Sequence, residues 1–66
     1  MNTRPSAAAK KPFKNGVHVR VKNDHAQHGR VTGCYKARQG WKVLISMSRY
    51  SDDVEYDDYQ VESVKP

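Results

Sequence analysis

The chain has 66 residues and a single cysteine, with 12 Lys and Arg against 7 Asp and Glu, a formal net charge of +5 at pH 7. A chain this short makes one domain, buries only about 60% of its unfolded surface and leaves little room for a catalytic cleft. The lone cysteine excludes an internal disulfide and the paired-cysteine zinc motifs, and no run approaches the ~20 apolar residues that cross a bilayer. With no apolar signal segment at its start, the chain is expected to be cytoplasmic and not bound to membranes.

Charge divides along the chain. Residues 1–50 hold eleven Lys and Arg against Asp24, a net of +10, whereas residues 51–66 hold six acids against Lys65, a net of −5. Such a division points to a polyanion-binding face on one side and a repelling or partner-selecting face on the other; solvated surface that keeps a small protein soluble is the plainer reading.

In chain order, residues 1–14 combine basic residues, three alanines and two prolines without periodicity, the composition of a flexible basic arm. Phe13 is its exception, an aromatic placed to dock on the folded part, which is expected to span residues 15–66. From Val17 to Lys22, Val17, Val19 and Val21 share one face of a strand while His18, Arg20 and Lys22 share the other. A polar loop is predicted over Asn23–Gly29, and a second strand over Gly29–Lys36, with Val31, Gly33 and Tyr35 on one side. Ala37-Arg38-Gln39-Gly40 reads as a hairpin turn, with Gly40 supplying the positive φ. Trp41, Val43, Ile45 and Met47 alternate inward along a third strand, Trp41–Ser48, and leave Leu44 facing out.

Val54–Tyr56 gives a short fourth strand, Asp57-Asp58-Tyr59 a tight or 3₁₀ turn, and Gln60–Val64 a fifth strand. Short strands with frequent turn signals predict an all-β fold, a single five-stranded barrel with Val19, Val21, Val31, Val43, Ile45, Val54 and Val61 in its core.

This order of elements resembles an SH3-like barrel, and Val19-Arg20-Val21 through Gly29-Arg30-Val31 resembles the KOW motif of ribosomal proteins and NusG-type transcription factors. The resemblance covers about 50 residues as a fold and about 15 as a motif. It implies that the first loop and its neighbouring basic residues contact RNA or protein.

The outward cations Arg20, Lys22, Arg30, Lys36, Arg38 and Lys42 are expected to merge into one basic surface, with His25 and His28 adding hydrogen-bonding groups at its rim. Phosphate contacts from such a surface give affinity that falls with salt and carries little sequence information. Tyr50 and Tyr56, flanked by Ser and Asp, are candidates for stacking or for partner contact, whereas Trp41 and Tyr35 are expected to fill the core.

The acidic string from Asp52 to Asp58 would line up along a strand rather than converge on a cation, and the three histidines lack zinc-site spacing, so no metal is expected. Cys34, alone on a strand, reads as a small packed hydrophobe, and neither a catalytic residue nor a cofactor is expected. The expectation is a non-enzymatic module that binds RNA, DNA or a nucleoprotein machine such as the ribosome or RNA polymerase. The alternative is a protein-interaction module that uses the acidic and tyrosine surface. A third reading rests on the type II dihydrofolate reductases, also short SH3-like barrels; their active strand carries Val-Gln-Ile-Tyr where this chain has Val54-Glu55-Tyr56, so the likeness is one of fold.

Overall fold

The computed structural model describes residues 11–64. Five antiparallel strands form one sheet: β1 (His18–Val21), β2 (Asp24–Ala37), β3 (Gly40–Ser46), β4 (Val54–Asp57) and β5 (Val61–Ser63), with a 3₁₀ turn at Asp58–Gln60. Their order across the sheet is β4-β3-β2-β1-β5. The fold is all-β, as the short alternating segments predict. Among the described residues no ladder joins β4 to β5, so the sheet is open rather than a closed barrel. Those two strands nonetheless lie at opposite edges while only the 3₁₀ turn separates them in sequence. From Asp57 to Val61 the chain spans roughly 13 Å at full extension, so the sheet has to coil and bring its edges close at that end. The carbonyl of Gln60's side chain accepts from the Asp57 N–H at 2.9 Å and stiffens this turn.

β2 begins at Asp24, five residues before the predicted start, and absorbs most of the expected loop. The connection from β1 is the two-residue turn Lys22-Asn23, with Val21 paired to Asp24 and Arg20 paired to His28. Residues 25–27 bulge between these two pairings, and the Asp24 carboxylate accepts from the Ala26 N–H at 3.2 Å. The polar residues are extended because β1 offers them ladder partners, which outweighs their low intrinsic preference for strands.

A second irregularity lies between Val31, paired with Ile45, and Gly33, paired with Leu44. Thr32 is the extra residue, and an extra residue shifts the inward-outward alternation of everything after it. Cys34 therefore pairs with Val43 on the core side, and Tyr35 pairs with Lys42 on the outer side. Tyr35, expected inside, is 44% exposed for this reason.

The core consists of Val19, Val31, Trp41, Val43, Ile45, Met47 and Val61, all buried. Val21 and Val54, predicted with them, are half-buried and pack against that core together with Phe13, Val17, Cys34 and Tyr56. Gly29 permits β2 to cross close over β3: a Cβ there would stand 2.1 Å from the Ser46 carbonyl oxygen. Gly40, at φ +134°, closes the β2–β3 hairpin in a conformation that L side chains rarely adopt.

The predicted arm falls, for residues 1–10, outside the described residues. Beyond it the chain is tied to β2, because the Gly16 N–H donates to the Val31 carbonyl at 2.7 Å and the Val31 N–H donates to that of Val17 at 3.0 Å. Among the described residues no helix is long and apolar enough to cross a membrane.

Candidate nucleic-acid interface

Successive outward positions of β1 are His18 and Arg20, and the register sets them opposite Arg30 and His28 of β2. On the other side of β1, Arg20 lies opposite Glu62 of β5. The resulting patch includes a shallow, open cleft of about 140 Å³ lined by His18, Arg20, His25, His28 and Val64. His18 Nε2 and His28 Nδ1 are 3.0 Å apart, and the two rings meet edge to face with centroids at 5.1 Å. Arg20 Nε donates to Glu62 Oε2 at 2.8 Å, and His25 Nε2 lies 3.6 Å from the same oxygen. The Arg20 guanidinium holds the Glu62 carboxyl below the usual range, mainly through this hydrogen bond. Arg30 Nη1 donates to the Gly16 carbonyl at 3.1 Å, which fixes its stem against the segment entering β1.

The second half of β2 carries a different surface. Tyr35, Lys42 and Asp57 stand in one cross-strand row over β2, β3 and β4, and Leu44 pairs with Glu55 in the next. Tyr35 donates its hydroxyl hydrogen to Glu55 Oε1 at 2.8 Å, Tyr59 donates to Asp57 Oδ2 at 3.1 Å, and Lys42 Nζ is ion-paired with Asp57. The bond to Glu55 pushes the Tyr35 phenol up, and the bond to Asp57 pushes the Lys42 ammonium up. Beside this row an open groove of about 420 Å³ runs along Tyr50, Ser51, Asp52, Asp53, Val54 and Glu55. Asp53 accepts from the Thr32 hydroxyl at 2.7 Å, so the bulge residue holds one wall of the groove.

The expected basic residues thus fall into separate places. Arg20, His25, His28 and Arg30 gather around β1 and the start of β2, with exposed Lys22 at the turn beside them. Lys36 and Arg38 lie at the far end of β2, near the hairpin to β3. Lys42 stands opposite Tyr35, seven residues along β2 from His28, or roughly 20 Å at ~3.3 Å per residue when the bulged Thr32 is not counted. A single merged surface would have to cover that distance, and its Lys42 end is already occupied by a carboxylate. Tyr50 is exposed, and its hydroxyl lies 3.4 Å from Gln27 Oε1. Tyr56 is half-buried against the core, opposite Val43.

His18, Glu62 and Tyr59 join these surfaces although their positions in the sequence do not single them out, and Tyr35 joins from the expected core. The alternation of β1 already turns His18 to the outer side with Arg20. Its partner is hidden at that level, because a seven-residue loop in place of the two-residue turn separates His18 from His28.

Cys34 is half-buried, its Sγ lies 3.6 Å from the Phe13 carbonyl oxygen, and burial pushes its thiol up, the opposite of what a thiolate nucleophile requires. Among the described residues no group of three or more His, Cys, Asp or Glu side chains is arranged to hold a metal ion. Comparisons with protein-family models, with curated proteins and with solved structures each return no match.

Proposed function

We propose that the chain is a non-enzymatic, SH3-like binding module that holds the phosphate backbone of a nucleic acid, free or within a nucleoprotein machine, against the outer face of β1 and the first half of β2. One observation carries this reading: His18, Arg20, His28 and Arg30 form a cross-strand block of nitrogen donors with Lys22 and His25 at its margin, and Glu62 is the one carboxylate paired into it among the described residues. Donors fixed on a rigid sheet suit phosphate oxygens, and phosphate contacts set position and affinity rather than sequence preference. The SH3-like outline is supported by the strand order, the two-residue β2–β3 connection and the 3₁₀ turn between β4 and β5. The KOW-like reading is supported by Gly29, whose missing side chain the close approach of β3 demands.

The test is a titration against single-stranded RNA, duplex RNA and duplex DNA at about 50 and about 200 mM salt. Affinity should fall with salt, and Lys22→Glu with Arg30→Glu should weaken binding and lower the log–log salt slope by about 0.7–0.9 for each phosphate no longer neutralised. Both side chains are exposed, and the one bond lost, from Arg30 to the Gly16 carbonyl, should cost about 1 kcal/mol, so the fold should persist. Absence of micromolar binding to all three nucleic acids at the lower salt would sink the reading.

A second reading has its own observation. Tyr35, Tyr50 and Tyr59 are exposed, and Tyr35 and Tyr59 are bonded to carboxylates on the β2–β3–β4 face. A protein with a basic segment fits that face, and retention of a protein partner by the Lys22→Glu, Arg30→Glu variant would favour it.

A further inference from the structure

We infer that the cleft between β1 and β2 is a proton-linked phosphate subsite, in which protonation of His18 and His28 breaks the hydrogen bond between them and a phosphate group takes its place. The inference rests on the nucleic-acid reading and adds a regulation to it. At 3.0 Å, His18 Nε2 and His28 Nδ1 accommodate one hydrogen between them, one nitrogen donating and the other accepting. Two neutral rings satisfy this arrangement, and so does a pair carrying one extra proton. A doubly protonated pair does not, because both facing nitrogens then carry hydrogens and both rings are cationic.

The surroundings decide what happens next. On β1 the pair faces Arg20; on β2 it faces His25 and, through the His18 pairing, Arg30; on β5 the nearest charge is Glu62, with Lys22 acting on it from the turn. Glu62 is engaged by Arg20 at 2.8 Å and lies 3.6 Å from His25, so it balances those groups and not the His18–His28 pair. Arg20 and Glu62 cancel, which leaves the cleft lining neutral while its three imidazoles are neutral and increasingly cationic as they gain protons. An anion with several acceptor oxygens relieves that accumulation and receives the hydrogens that the two rings can no longer give each other. A tetrahedral phosphate supplies such oxygens. Because the linkage is reciprocal, phosphate raises proton affinity as much as protons raise phosphate affinity. Imidazole is the side chain whose charge ordinarily changes between about pH 5 and 8, and two pH values that bracket this interval are the ones to compare.

The shared chemistry is a phosphate group, carried either by a nucleic-acid backbone or by free phosphate. Binding of a short single-stranded RNA, of duplex DNA and of inorganic phosphate should be measured at about pH 5.5 and about pH 8 at constant ionic strength, with circular dichroism confirming the fold at both. For the wild type, affinity for the source that occupies the cleft should rise roughly tenfold on acidification, a coupling of ordinary size for two linked sites. In His18→Gln with His28→Gln that rise should shrink several-fold, whatever the variant's affinity at about pH 8, with His25 left to supply the remainder.

His28→Gln alone, and imidazole resonances of the wild type followed by NMR with and without phosphate, provide readouts that do not depend on the double variant folding. A pH response undiminished by loss of both histidines, or imidazole titrations unmoved by every phosphate source, would overturn the inference. Acid-enhanced binding of inorganic phosphate without any binding of nucleic acid would uphold the subsite and sink the nucleic-acid reading instead.

Discussion

The two halves of β2 share one backbone and carry opposite chemistry. Before Thr32, the strand runs beside β1 and presents imidazole and guanidinium groups, with Arg20 tethered to Glu62. After Thr32, it runs beside β3 alone and presents a tyrosine in a row of paired carboxylates, with Lys42 neutralised by Asp57. A count of cations along the sequence treats both halves as one basic face. The partner each cation acquires across the ladder, rather than the number of cations, decides which part of the sheet is able to receive an anion.

The largest effect on this contrast is expected at Gly29, the crossing point on which the first half depends. Gly29→Ala places a methyl 2.1 Å from the backbone oxygen of Ser46, which cannot rotate away as a side chain would. A loss of about 3 kcal/mol is expected, measured by urea denaturation, and it should disturb the β1–β2 face more than the β3–β4 face in amide exchange. A shift below about 0.5 kcal/mol would show that the two strands do not approach so closely.

Deleting Thr32 probes the boundary between the halves. Thr32 is the surplus residue opposite Leu44, so its removal makes the alternation regular while Cys34 stays inward and Tyr35 outward. The bond to Asp53 goes with it, and about 1–2 kcal/mol should be forfeited through that bond and the altered twist. Tyr35 fluorescence should report the same exposure as before. Burial of Tyr35 in the deletion variant would mean that the facing of the second half is not set by this bulge.

The smallest effects expected are those of pH on stability, and they have opposite signs in the two halves. The Glu62 carboxyl is held low by Arg20, so its contribution is complete above the ordinary carboxylate range and is lost as pH falls through its folded value. The Lys42 ammonium and the Tyr35 phenol are pushed up by Asp57 and Glu55, so their contributions are complete below their ordinary values and are lost as pH rises through the folded ones. Glu62→Gln should flatten the acid limb of the melting-temperature profile and leave the alkaline limb alone, and Asp57→Asn should flatten the alkaline limb. A change of the alkaline limb in Glu62→Gln would show that the halves are not electrically independent.

Much of this architecture is legible in the sequence, because alternating valines and the Trp41–Met47 run obey a two-residue period that only a half-buried strand satisfies. The all-β class, the β2–β3 hairpin at Gly40 and most of the core follow from that period. The bulges at residues 25–27 and at Thr32 are not legible, since neither leaves a mark in composition; each arises from how one strand fits its neighbour. His28 and Tyr35 show the cost. Pattern alone assigns His28 to a loop, and it lies in a ladder; pattern alone assigns Tyr35 to the core, and it faces outward. The site suffers more than the fold, because a one-residue error in parity leaves the strand count intact and turns every functional side chain over.

The pairing of β1 with β5 has a consequence for the order in which the protein folds. Arg20 and Glu62 are 42 residues apart in sequence, whereas β2 and β3 are joined by the two residues Arg38 and Gln39. The local hairpin can form on a timescale of about 1–10 μs, and the distant pair must first close a long loop. Val19 and Val61 are brought together only by that late step, so the core is sealed last at the strand whose arginine is already waiting for its carboxylate. Until β5 arrives, β1 presents an unpaired edge, and a nascent or truncated chain lacking Val61–Ser63 carries the same surface into contact with whatever strand it meets first.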